Sequence, residues 1–165
     1  ACAVEASAYI AALCALIPSS SSREEAVMSA LELIDKDSEA YEAVQIGIKN
    51  KHKPASELHD HYGDMSPVHS LNNLAVVVWA FLSFQDSFDE AIGETICCGW
   101  DTDCTGATVG GLIGLDKGFI PESWTDPWNG RVLTTIAGVG ELDLDHLVSR
   151  TCQLVEKFSS SSDLS

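Results

Sequence analysis

Positive charge is what this sequence has least of: nine Lys and Arg stand against 25 Asp and Glu, a formal net charge of -16 over 165 residues. A field of that sign repels a phosphate backbone or an anionic lipid surface, so neither nucleic acid nor membrane is an expected partner. An anionic small ligand would need local help, from a cation or from the free N–H groups at a helix start. Paired cysteine motifs are missing too. Cys2, Cys14, Cys97, Cys98, Cys104 and Cys152 form no C-x-x-C, which argues against a zinc site or a disulfide framework and for a reducing, cytoplasmic setting. The longest apolar run, residues 74–84 with Ser83 inside it, falls short of the ~20 residues a spanning helix needs, and no basic segment leads into an apolar one at the start.

What the chain does have is a globular composition, 45% hydrophobic and 21% charged, enough for one compact domain. No hairpin signal or sustained two-residue alternation is recognised, so an all-α domain is expected. Residues 1–16 are apolar nearly all round and predict a buried helix ended by Pro18. That stretch has no capping residue before it and reads as cut from a longer helix. Ser22-x-x-Glu25 and Ser87-x-x-Glu90 are capping-box spacings, the first leading into an apolar face of Ala26, Leu31, Leu33 and Ile34. A third helix is expected over 38–48 and a long connection over 49–67 with a short helix near 56–61. A buried helix follows at 68–84, with Trp79, Phe81 and Phe84 as core, and a Gly-rich apolar helix at 105–115. Residues 120–140 read as loop apart from 131–136. A last helix capped by Asp143 carries Leu144, Leu147, Val148, Thr151, Leu154, Val155 and Phe158 along one face, and residues 159–165 form a polar tail.

One segment demands a chemical account: Gly99-Trp100-Asp101-Thr102-Asp103-Cys104-Thr105-Gly106-Ala107-Thr108. Two carboxylates two residues apart in a turn can converge on one ion. The hydroxyls beyond them are neutral oxygen ligands of the kind Mg²⁺, Mn²⁺ and Ca²⁺ accept. The plainer alternative is that Asp103 or Thr105 caps a helix. An EF-hand is excluded, because Leu112 stands where its bidentate Glu belongs. Among other candidates, His69 could meet a substrate hydroxyl or cap a helix. Trp100 could stack on a ligand ring, and His59-Asp60-His61 is an exposed polar stretch with weak metal character.

The Gly-x-Asp-Thr-Asp-x-Thr-Gly-Ala pattern and the Gly/Ala-rich helix after it resemble the C-terminal signature of the ADP-ribosylglycohydrolase family. Val68-His69-Ser70-Leu71-Asn72-Asn73-Leu74-Ala75 and Ile120-Pro121-Glu122-Ser123-Trp124 are similar to two further family segments, so the likeness spans residues 1–158. The resemblance implies an orthogonal multi-helix bundle, an all-α hydrolase of ADP-ribosyl bonds in protein or small ADP-ribose conjugates, with a dinuclear Mg²⁺ (or Mn²⁺) site. On that reading Asp101 and Asp103 are ligands, joined by Cys104 or Thr105 and by a Thr-Asp-Asp motif from an N-terminal half. Trp100 and His69 are then substrate-side candidates, and no catalytic acid or base is assigned. Cys104 departs from the usual Thr, and no Thr-Asp-Asp occurs in these residues. The expectation is therefore an incomplete enzyme, able to associate through apolar surface on the first helix and on 74–84. The rival is a non-enzymatic relative that binds or scaffolds.

Overall fold

The computed structural model describes residues 2–161, with side chains given up to residue 158. Its class is all-α, as expected: nine α-helices among the described residues and one two-stranded sheet. The chain forms two compact units, Ala1–Phe119 and Ile120–Ser165.

The first unit holds α1 (Cys2–Leu16), α2 (Arg23–Leu31), α3 (Glu39–Lys49), α4 (Ser56–Tyr62), α5 (Ser70–Ser83), α6 (Phe88–Cys97) and α7 (Thr102–Lys117). Serines start three of these helices, two of them, Ser22 and Ser87, as the spacing predicts. Ser22, Ser38 and Ser87 accept from the amides of Glu25, Tyr41 and Glu90, each at 3.1 Å. The reciprocal arm of the first capping box is displaced by one residue, because the Glu25 carboxylate takes the Ser21 amide at 2.7 Å.

α5 is the central element, and every residue from Leu74 to Leu82 is buried. Its neighbour α3 comes close at Gly47, where a Cβ would lie 2.8 Å from the Ala75 carbonyl oxygen and from Val78 Cβ. Trp79, Tyr9, Phe81 and Leu13 are the largest fully buried side chains. Each contributes roughly 1.5–3 kcal/mol or more by leaving water. Trp79 also donates its indole N–H to the Lys53 carbonyl at 3.0 Å, fixing the connection before α4. Across the bundle, Arg23 donates to Asp116 in the last turn of α7 and to the Phe81 carbonyl at the end of α5.

Four expectations need correction here. The first helix is not wholly buried: Ala6, Tyr9 and Leu13 face the core while Val4 is 74% exposed. Cys2–Ser19 is in fact long and apolar enough, by length and composition alone, to cross a bilayer. Counting an unbroken run missed this because Glu5 and the serines interrupt it, and a core helix passes the same test. α5 leaves no apolar face for association, since its neighbours within the unit cover it. α2 ends at Leu31, so Leu33 lies beyond it and is exposed.

The second unit comprises α8 (Glu122–Thr125), a 3-10 turn (Asp126–Trp128), β1 (Arg131–Leu133), β2 (Glu141–Asp143) and α9 (Leu144–Ser161). The antiparallel pair, in register Arg131↔Asp143, corrects the expectation that no hairpin is present. Three-residue strands are too short for a period of two to show. Asp143 caps α9 as expected, its carboxylate accepting the His146 amide at 2.9 Å. The apolar stripe of α9 stays largely exposed at Val148, Leu154, Val155 and Phe158. Of the expected tail, residues 162–165 lie outside the described residues.

Candidate functional site

The signature segment begins where α6 ends. Cys98 is buried, and burial pushes its thiol up to about 11, so it stays neutral and serves as packing. Gly99 (φ 84°) and Trp100 (φ 57°) then take consecutive left-handed conformations that reverse the chain. Glycine does so freely, whereas a left-handed Trp costs about 1–3 kcal/mol and persists only where its surroundings hold it. The surroundings here are supplied by His59 of α4. Its ring stacks on the Trp100 indole at 4.0 Å with an 18° interplanar angle, and its Nε2 lies 2.7 Å from the Cys98 carbonyl oxygen. A carbonyl only accepts, so Nε2 is the protonated nitrogen.

Asp101 comes next, at the N-cap position of α7, yet its side chain accepts no capping hydrogen bond. The serines of the other helices do what this carboxylate does not. The capping alternative for Asp103 and Thr105 also fails. Asp103 sits inside the first turn, and the buried Thr105 hydroxyl donates backward to the Asp101 carbonyl at 2.8 Å. The Asp101 and Asp103 carboxylates and the Cys104 thiol instead gather, with one potential ligand atom of each within 4.8 Å of the others. Asp101 is half-buried and the other two are exposed, leaving the cluster open to solvent.

Cys104 behaves as a partner of Asp101. Its thiol is held above the ordinary thiol value, first by its hydrogen bond to the Asp101 carboxylate, then by that group's charge, by desolvation and by the charge of Asp103. The thiol is thus a neutral donor. The two carboxylates fit a hard divalent ion by donor chemistry, and a protonated thiol does not. Thr105 is adjacent but buried, its hydroxyl proton donated to the Asp101 carbonyl.

The remaining sequence candidates separate. His69 is an N-cap: its Nδ1 accepts the Leu71 amide at 3.3 Å, the capping half of its two expected roles. His61 leans on Tyr62, and His59-Asp60-His61 is not among the potential metal groupings of the described residues. An open groove of about 460 Å³ runs between α1, α5 and α7 and reaches the cluster through Cys104 and Thr105. Asn73 lines it, with a buried Oδ1 that has no hydrogen-bond partner. Asn73 falls in the family-like segment 68–75, whereas the role of His59 has no sequence signal, since it depends on helices meeting that are far apart in the chain.

No curated protein and no solved structure matches this chain. The family model described as ADP-ribosylglycohydrolase matches residues 1–158, which takes in the whole of the first unit, the cluster and most of α9. With that match extending over nearly the full length, and the Asp101–Asp103 turn lying within it, the chain belongs to the ADP-ribosylglycohydrolase family.

Proposed function

We propose that this chain forms part of a metal-dependent hydrolase that cleaves ADP-ribosyl bonds, N- or O-glycosidic, in protein or in small ADP-ribose conjugates. The observation that carries the reading is the Asp101 carboxylate. It stands at a helix N-cap without capping, and shares a cluster with Asp103 instead. In this proposal Asp101 and Asp103 hold Mg²⁺ or Mn²⁺, and the remaining ligands come from outside these 165 residues. A divalent ion bound there would supply Lewis-acid polarisation and neutralise an anionic ligand.

The chain's own groups do the rest. The Gly99–Trp100 turn aims Asp101 at the cluster, and the first turn of α7 directs its free N–H groups to the same place. Those N–H groups favour negative charge locally against a background of -16. Trp100, next to Asp101 in the chain, is half-buried with its ring stacked on His59, so only its remaining surface could meet a ligand ring. Free cysteines suit a reducing compartment, and we place the protein in the cytoplasm on that ground.

One observation favours a second reading, a family member that binds without hydrolysing. The Cys104 thiol stands in the cluster beside both carboxylates, and a soft, protonated donor there disfavours a second hard ion. Thermal melting separates the two. On the hydrolase reading, Mg²⁺ or Mn²⁺ at a hundred times its dissociation constant stabilises the protein by about 2.7 kcal/mol through mass action, and Asp101→Asn abolishes the gain. If the protein shows no metal-dependent shift, and no release of ADP-ribose with either ion, when the part supplying the remaining ligands is also present, the hydrolase reading is wrong.

A further inference from the structure

We infer that His59 is a positioning residue for the Asp101–Asp103 cluster, acting through the Gly99–Trp100 turn. It lies 42 positions upstream of Asp101, on a helix that contributes no residue to the cluster, and nothing in the sequence marks it for this work. The inference rests on the metal reading above for its consequence, and on the fold alone for its geometry.

His59 holds the turn from two sides. Its Nε2 donates to the Cys98 carbonyl at 2.7 Å, anchoring the last peptide before the left-handed pair. Its ring lies flat against the Trp100 indole at 4.0 Å, resisting rotation of the one non-glycine residue in that pair. Trp100 connects directly to Asp101, so any swing of the turn moves the Asp101 carboxylate relative to Asp103, which is fixed in the first turn of α7. A group that orients metal ligands in this way governs affinity while touching neither the ion nor the substrate. His59 is itself exposed, so its removal opens no core cavity and the variants should fold.

The test uses the protein and three variants: His59→Ala removes both contacts, His59→Gln keeps an N–H near the Nε2 position, and His59→Phe keeps the stack. Two quantities are measured. The first, without metal, is hydrogen exchange at the Gly99 and Thr105 amides, which bond to the Ile96 and Asp101 carbonyls, each at 3.0 Å. The second is Mn²⁺ affinity by titration. The expected result is faster exchange at both amides in His59→Ala and roughly tenfold or greater weakening of Mn²⁺ binding, with Gln or Phe recovering part of each.

Unchanged exchange in His59→Ala overturns the inference whatever the metal does. So does faster exchange with Mn²⁺ affinity within about twofold of wild type, or a loss that neither Gln nor Phe recovers in part. If no form binds Mn²⁺, the metal reading fails separately. Exchange alone then decides the brace: acceleration in Ala with recovery in Gln or Phe supports it, and equal rates overturn it.

Discussion

The Arg23 guanidinium donates through Nε to the Asp116 carboxylate at 2.8 Å, joining the first residue of α2 to the last turn of α7. The Arg23 side chain is 3% exposed and that of Asp116 29%. The guanidinium also donates to the Phe81 and Phe84 carbonyls and lies 4.8 Å over the Phe81 ring, while its Nη2 has no partner. A buried cation with three helices around it is costly to strand. Asp116→Ala is expected to lower stability by about 2–3 kcal/mol, toward the low side for a buried pair because Asp116 is partly hydrated. Arg23→Met in the same background should recover part of the loss by removing the stranded charge. Urea denaturation of the single and double variants reads both, and a neutral Asp116→Ala would refute this account of the pair.

Gly47 is the point of closest approach between α3 and α5. A Cβ there would sit 2.8 Å from the Ala75 carbonyl oxygen, which as backbone of a buried helix has no room to retreat. Gly47→Ala gains helix propensity of about 1 kcal/mol but has to push the helices apart, so a net loss of about 1–3 kcal/mol is expected. Gly93 provides the control, since nothing lies within 4 Å of its added Cβ. Gly93→Ala should stabilise α6. Opposite signs in the two melting curves are the outcome to look for.

Asp101 and Ser87 occupy the same helix position and do different things. Ser87→Ala removes a capping bond and should lower stability by about 1 kcal/mol. Asp101→Ala removes no capping bond, and it relieves the crowding of two carboxylates, so in chelator it should leave stability unchanged or raise it. A metal-free loss at Asp101 equal to that at Ser87 would assign it to capping after all.

Cys104 is expected to react slowly with maleimide for an exposed thiol, because Asp101 keeps it protonated. Its labelling rate should rise at higher pH than that of an ordinary cysteine, and Asp101→Asn should shift the rise downward. The sign for stability follows. A thiol held above its unfolded value of about 8.5 favours folding fully below that pH and less as pH climbs through the folded value. Cys104→Thr replaces a soft donor with a hard oxygen, so it should strengthen Mg²⁺ binding and weaken Cd²⁺ binding. Calorimetric titration with each ion checks the reversal.

Local interactions made much of this protein legible in its sequence. Ser22, Ser87 and Asp143 cap the helices their spacing predicts, and the 3–4 repeat from Leu144 to Phe158 is one continuous helix face, because capping and amphipathicity depend on neighbours within a turn or two. The Asp101–Asp103 pair was visible for the same reason, both carboxylates belonging to one short turn. Tertiary structure alone decided what those residues do. Whether Asp101 caps or stays free depends on backbone angles set by Gly99 and Trp100, and those are held by His59 from another helix. The short β1–β2 pair depends on a partner strand, which a window of three residues cannot reveal. That α5 is covered all round, while Val4 on the equally apolar α1 faces solvent, was likewise beyond composition. Periodicity reports which faces are apolar, and only the packing of distant helices determines which of them are covered.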